Sequence, residues 1–175
     1  MWTGVWPSQE IQNLGRALDE SENLVRNPSA NQPDEVTRAL TRFLIVRTCG
    51  YLEQVVDCSC RAFLISKSAP QVASFGSSHL GKGANPTPDR LAALLTRFSR
   101  EWAELFKSFV AEDDEFRSRE LAFLVDRRNK IAHGASEGIG AAKALALVPV
   151  AREVADWFCT VLDPTVGSST SRSWL

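Results

Sequence analysis

A chain of 175 residues with 44% hydrophobic content is long enough for one domain with a sizeable core, and two full domains are not expected. Its formal charge of -1, with both signs scattered throughout, leaves no global basic footprint, so any nucleic-acid contact must come from a local patch or an assembled cleft. No apolar run reaches the length of a membrane span, and Met1-Trp2-Thr3-Gly4 lacks a charged segment followed by an apolar one, which makes the cytoplasm the expected compartment.

In chain order, a first helix is expected from Ser8 to Arg26, with Ile11, Leu14 and Leu18 inward and an end before Asn27-Pro28. Asp34 to about Ser66 carries Val36, Leu40, Phe43, Leu44, Tyr51, Leu52, Val55, Phe63 and Leu64 with no strong breaker, and reads as a longer buried helix. Gly50 in its interior would allow close packing or a slight bend. Ser, Gly and Pro dominate residues 70–86, a long surface loop on that composition, with His79 exposed. Thr87 can cap and Pro88 suits a first helical position. Beyond them Leu91, Leu94, Leu95, Phe98, Trp102, Leu105, Phe106 and Phe109 recur at three- and four-residue steps, the pattern of one long amphipathic helix.

Glu112-Asp113-Asp114-Glu115 reads as a solvated connection, because its spacing matches no calcium loop. A fourth helix is expected from Ser118 to His133 on Leu121, Leu124, Val125 and Ile131. A last one holds Val150, Val154, Trp157, Phe158 and Val161, with Pro149 near its start or at a kink. With no alternating strand pattern and no repeat, the fold class is all-α: a bundle of about five helices over residues 1–163, and a loose tail over 164–175. Cys49, Cys58 and Cys60 fall in one helix and Cys159 in another without a C-x-x-C pair, the pattern of buried free thiols rather than a metal site.

Two stretches invite chemistry. Gly134-Ala135-Ser136-Glu137-Gly138-Ile139-Gly140 imitates the glycine-rich turn of dinucleotide-binding dehydrogenases, but it follows a charged helical segment rather than a buried strand, which excludes that role. The other stretch is Arg128-Asn129-Lys130-Ile131-Ala132-His133. Asn129 and His133 share a helical face and Arg128 lies about a quarter-turn away. Gly134 marks the helix end, and an imidazole there can take or give a proton near neutrality. Glu53, a carboxylate in an apolar helix, either emerges on the exposed side or pairs with Arg127 or Arg128.

The pattern Arg128-Asn129-x-x-x-His133 resembles the signature of the HEPN superfamily. More narrowly, Thr87-Pro88-Asp89-Arg90-Leu91, Phe98 and Trp102, followed by Leu124 to Gly134, resemble the RiboL-PSP-HEPN or the closely related MAE-type HEPN families, over roughly Ala39 to Leu162. The resemblance implies a metal-independent, cofactor-free endoribonuclease that works as a homodimer on RNA. Arg128, Asn129 and His133 would be catalytic, Arg127 and Lys130 RNA-binding, and Glu53 supporting. Toxins of this superfamily that are silenced by AMPylation usually carry a tyrosine two residues after the histidine. Ala135 stands there, which points to a different antitoxin or a defence-system partner. The competing readings are a non-catalytic HEPN interaction module and a helical DNA- or nucleotide-binding regulator, the latter without a helix-turn-helix signal or phosphate loop.

Overall fold

The computed structural model describes residues 4–80, 85–134 and 138–166. Those residues form six helices and no strand: α1 (Gln9–Arg26), α2 (Asp34–Lys67), α3 (Pro70–Ser77), α4 (Pro88–Thr96), α5 (Arg100–Ala132) and α6 (Ala141–Val161). The all-α expectation holds. Ser8 caps α1 by accepting from the Ile11 N–H, and Thr87 caps α4 by accepting from Arg90.

α2 is the central element, packed chiefly against α6 and α1. Its fully buried Leu44, Ile45, Leu52 and Val55 meet Leu18 of α1 and Val154 and Phe158 of α6 in one continuous core. An aromatic set of Phe106, Phe109, Trp157 and Phe158 joins α5 to α6, with ring centroids 5.1 to 6.3 Å apart. The Arg152–Asp19 ion pair, at 2.5 Å, ties α6 to α1, and Trp6 Nε1 donates to the Cys159 carbonyl at 2.8 Å.

Several expectations change. Residues 70–86 are not one loop, since Pro70–Ser77 is a helix: proline opens it at a position where no N–H is needed, and Ala73 is buried. The amphipathic run from Leu91 to Phe109 is two helices, because the chain turns at Arg97-Phe98 and Ser99 starts α5 by accepting from the Trp102 N–H. The apolar rhythm survives the break because Phe98 and Trp102 both pack on Phe63, at 6.0 and 5.3 Å. Leu105, within that rhythm, is exposed. Gly50 makes no close packing contact; a Cβ there would meet only Gln54 Nε2 at 3.9 Å. α6 begins well before Pro149, which sits inside it.

The acidic connection does break helix geometry within α5. Glu112 is extended, and Asp113, Asp114 and Glu115 hold φ of 55°, 54° and 60°, a left-handed region costly for residues with a Cβ. Arg117 braces the break: it donates to Glu153 at 2.7 Å, to Glu112 at 3.1 Å and to the Phe109 carbonyl at 3.3 Å, and lies 4.7 Å from the Phe109 ring centroid. At the start of the expected loose tail, Lys67 Nζ donates to the Pro164 and Val166 carbonyls at 3.3 and 2.5 Å, so the chain is pinned there; residues 167–175 lie outside the described ones.

Candidate active site at the end of α5

Leu121, Leu124 and Val125 put one face of α5 into the core. Helical spacing carries that face on to Arg128, so its side chain starts from the inward stripe and reaches its edge half-buried. There Arg128 Nη1 donates to Asn85 Oδ1 at 3.1 Å and to Asn129 Oδ1 at 3.2 Å. Both partners are neutral amides. Among the described residues no carboxylate pairs with Arg128, so its charge is held in place without being neutralised.

His133 ends the helix. Its backbone leaves helical geometry at φ -90°, ψ 12°, its N–H still reaches the Asn129 carbonyl at 3.0 Å, and its side chain is exposed. Gly134 follows at φ +75°, a conformation glycine adopts without steric cost, and its N–H closes on the Ile131 carbonyl at 3.0 Å. The sequence expectation of a histidine at the cap and a glycine just past it therefore holds in backbone detail. Residues 135–137, including the Ala135 position, lie outside the described ones.

The other expected residues divide. Arg127 lies 4.7 Å from the ring centroid of Phe123 and 3.6 Å from Asp126. Lys130 lies 3.2 Å from the same aspartate. Asp126 thus lies beside two cations on this turn, and Arg128 brings a third positive charge to the end of α5. Glu53 is half-buried on α2, and neither Arg127 nor Arg128 comes within ion-pair distance of it among the described residues. It is nonetheless near enough for its charge to be felt beside that of Arg128. Burial pushes the Cys49 thiol up to about 11, Arg128 tempers the rise and Glu53 adds to it. The middle of α2 and the end of α5 consequently form one electrostatic neighbourhood.

The cysteines behave as the spacing implied. All four are free thiols, with Cys49, Cys60 and Cys159 buried and Cys58 half-buried. Burial raises each, Cys58 and Cys60 to about 12 and Cys159 to about 11, so they stay neutral and serve as packing.

Sequence reasoning missed Asn85. In the chain it precedes Pro86 and a helix cap and looks like turn punctuation. Only the fold brings its amide to Arg128, 43 positions away. It also lines a cavity of about 570 Å³ together with Glu53.

No curated protein and no solved structure matches the chain. The family model described as RiboL-PSP-HEPN matches residues 6–162, which takes in α1 as well as the stretch from Ala39 on which the sequence resemblance rested. With nearly the whole helical bundle inside that match, the chain belongs to the RiboL-PSP-HEPN family.

Proposed function

We propose that this protein is an endoribonuclease that cleaves RNA by attack of the ribose 2′-hydroxyl on the adjacent phosphate, at a site completed by a second copy of the chain. The observation that carries the reading is Arg128. Two neutral amides orient it and leave its charge available beside an exposed histidine at a helix cap. Transesterification needs a base for the 2′-hydroxyl, an acid for the leaving 5′-oxygen, and a cation for the charge that grows on the phosphorane. Arg128 supplies the cation, Asn129 orients substrate or imidazole, and Arg127 and Lys130 draw the backbone in.

One chain brings one histidine to this end of α5, and the reaction uses two proton transfers. An isologous dimer provides the second His133. An exposed apolar stripe supports that assembly: Phe43 and Val46 on α2 are 49% and 38% exposed, and the same helical steps lead on to Gly50 and Glu53 beside the site. Because side chains can supply every role, the reaction requires no metal. Membership of this family together with such a site suits a toxin or a defence nuclease, restrained by an antitoxin or other partner protein. No helix among the described residues is long and apolar enough to cross a membrane.

Purified protein should sediment as a dimer and cut single-stranded RNA in EDTA, and His133→Ala should abolish cutting while the dimer persists. A stable dimer of the unaltered chain that leaves RNA intact under all these conditions would instead make it an interaction module.

A further inference from the structure

A cavity of about 570 Å³ lies between α2 and α4, within the size range of small-molecule sites, and Asn85 is common to it and to the Arg128 site. Its charges are ordered. Glu53 and Asp57 stand one turn apart on α2, while Arg90 on α4 and Arg97 at its C-terminal cap have exposed side chains. Val56, Leu91 and Leu94 give it an apolar wall, and the Cys60 thiol, neutral because burial pushes it up to about 12, extends that wall.

The two carboxylates differ. Asp57 Oδ2 takes the Arg61 guanidinium at 2.6 Å, but its Oδ1 is buried without a hydrogen-bond partner. Among the described residues no hydrogen bond or ion pair engages the Glu53 carboxylate, and none engages the Arg90 or Arg97 guanidinium. The half-buried Glu53 carboxylate is therefore the acceptor open to the cavity, and a ligand could supply donors to it. Such a ligand carries adjacent N–H groups at one end and an anion at the other.

Among the RNA bases, guanine fits this demand. Its N1–H and N2–H₂ are neighbouring donors that a carboxylate can accept together. Adenine and cytosine offer a single amino donor next to an acceptor nitrogen, and uracil a single N–H between two carbonyls, so each would set a lone pair against a carboxylate oxygen. We propose that this cavity is a guanine-nucleotide subsite next to the scissile phosphate, with Glu53 reading the base and Arg90 and Arg97 holding its phosphate. The assignment rests on the ribonuclease reading for its place along an RNA strand, while its binding chemistry is testable without cleavage.

The test is calorimetric titration of the full chain with guanosine, adenosine, cytidine and uridine 5′-monophosphates. Guanosine monophosphate should bind at least about tenfold more tightly than the other three. Glu53→Gln, which exchanges one acceptor for a donor at constant shape, should erase that preference, and Arg97→Ala should weaken guanosine monophosphate more than guanosine. Ala93→Trp, at an exposed lining position, should fill the cavity and weaken all four without touching the core. Equal affinities, no binding at millimolar nucleotide, or a preference that survives Glu53→Gln in a protein with an unchanged melting curve overturns the subsite. A protein that prefers guanosine monophosphate yet cuts no RNA keeps the subsite and loses the nuclease. One that cuts RNA without the preference does the reverse.

Discussion

α5 carries two arginines three turns apart that do opposite things. Arg117 is surrounded by carboxylates, with Glu153 at 2.7 Å, Glu112 at 3.1 Å and Asp113 at 3.7 Å. Its charge is spent on holding the chain through the strained turn at Asp113 to Glu115. Among the described residues Arg128, on the same helix, meets the amide oxygens of Asn85 and Asn129 and no carboxylate. Amides fix a guanidinium in direction without cancelling its field, so the second arginine is oriented while remaining able to hold an anion. What separates a bracing arginine from a binding one here is the charge of its partners.

Breaking each arm of the comparison should give opposite phenotypes. Arg128→Ala is expected to lower the RNA cleavage rate by about 10²- to 10³-fold, the usual cost of removing one charge-stabilising donor. Its melting temperature should stay close to the parent's, since amides facing solvent are easily rehydrated; steady-state cleavage and a thermal melt on one preparation check both. Arg128→Lys keeps the charge and loses the planar guanidinium that Nη1 anchors to both amides, so an intermediate loss of about tenfold is expected from the same assay. Arg117→Ala should do the reverse, costing about 1–2 kcal/mol in urea unfolding through the lost ion pairs and the lost ring contact, with specific activity unchanged. The loss stays small because the partner carboxylates are 51% to 76% exposed and screened by solvent. Glu115→Gly, which frees a residue held at φ 60°, should stabilise by about 0.5–1 kcal/mol.

The thiols give a pH test of the core that holds both arginines. Cys49, Cys60 and Cys159 are raised from 9.0 to about 11, 12 and 11, so the folded protein keeps protons that the unfolded chain would release. Their contribution to stability is fully present below about 9 and is lost as the pH rises through about 11 to 12. Urea midpoints should accordingly fall across that window, and the buried thiols should resist alkylation at pH 8 until denaturant is added.

Much of this was legible in the chain. Ser8, Thr87 and Gly134 mark helix ends by local chemistry that does not depend on what the helices pack against, and each stands where the sequence put it. The motif from Arg128 to His133 was legible for the same reason, being contained within two turns. Errors came where tertiary packing hides a local signal. The break at Arg97 to Ser99 was invisible because both helices keep their apolar faces on the same core. α3 was obscured by a composition that reads as loop, although Pro70 and Ala73 were its helical signals. Glu53 was legible as a carboxylate in an apolar helix, but its place in a cavity with Asn85 was not, since residues so far apart in the chain meet only in the fold.

The most direct test of the central claim is an end-group analysis of RNA cut in EDTA by the parent protein and by His133→Ala. The account predicts 2′,3′-cyclic phosphate and 5′-hydroxyl ends from the parent, and cleavage at least about 10²-fold slower from the variant. Ends bearing 5′-phosphate and 3′-hydroxyl, or a His133→Ala protein that cuts as fast as its parent, would contradict it.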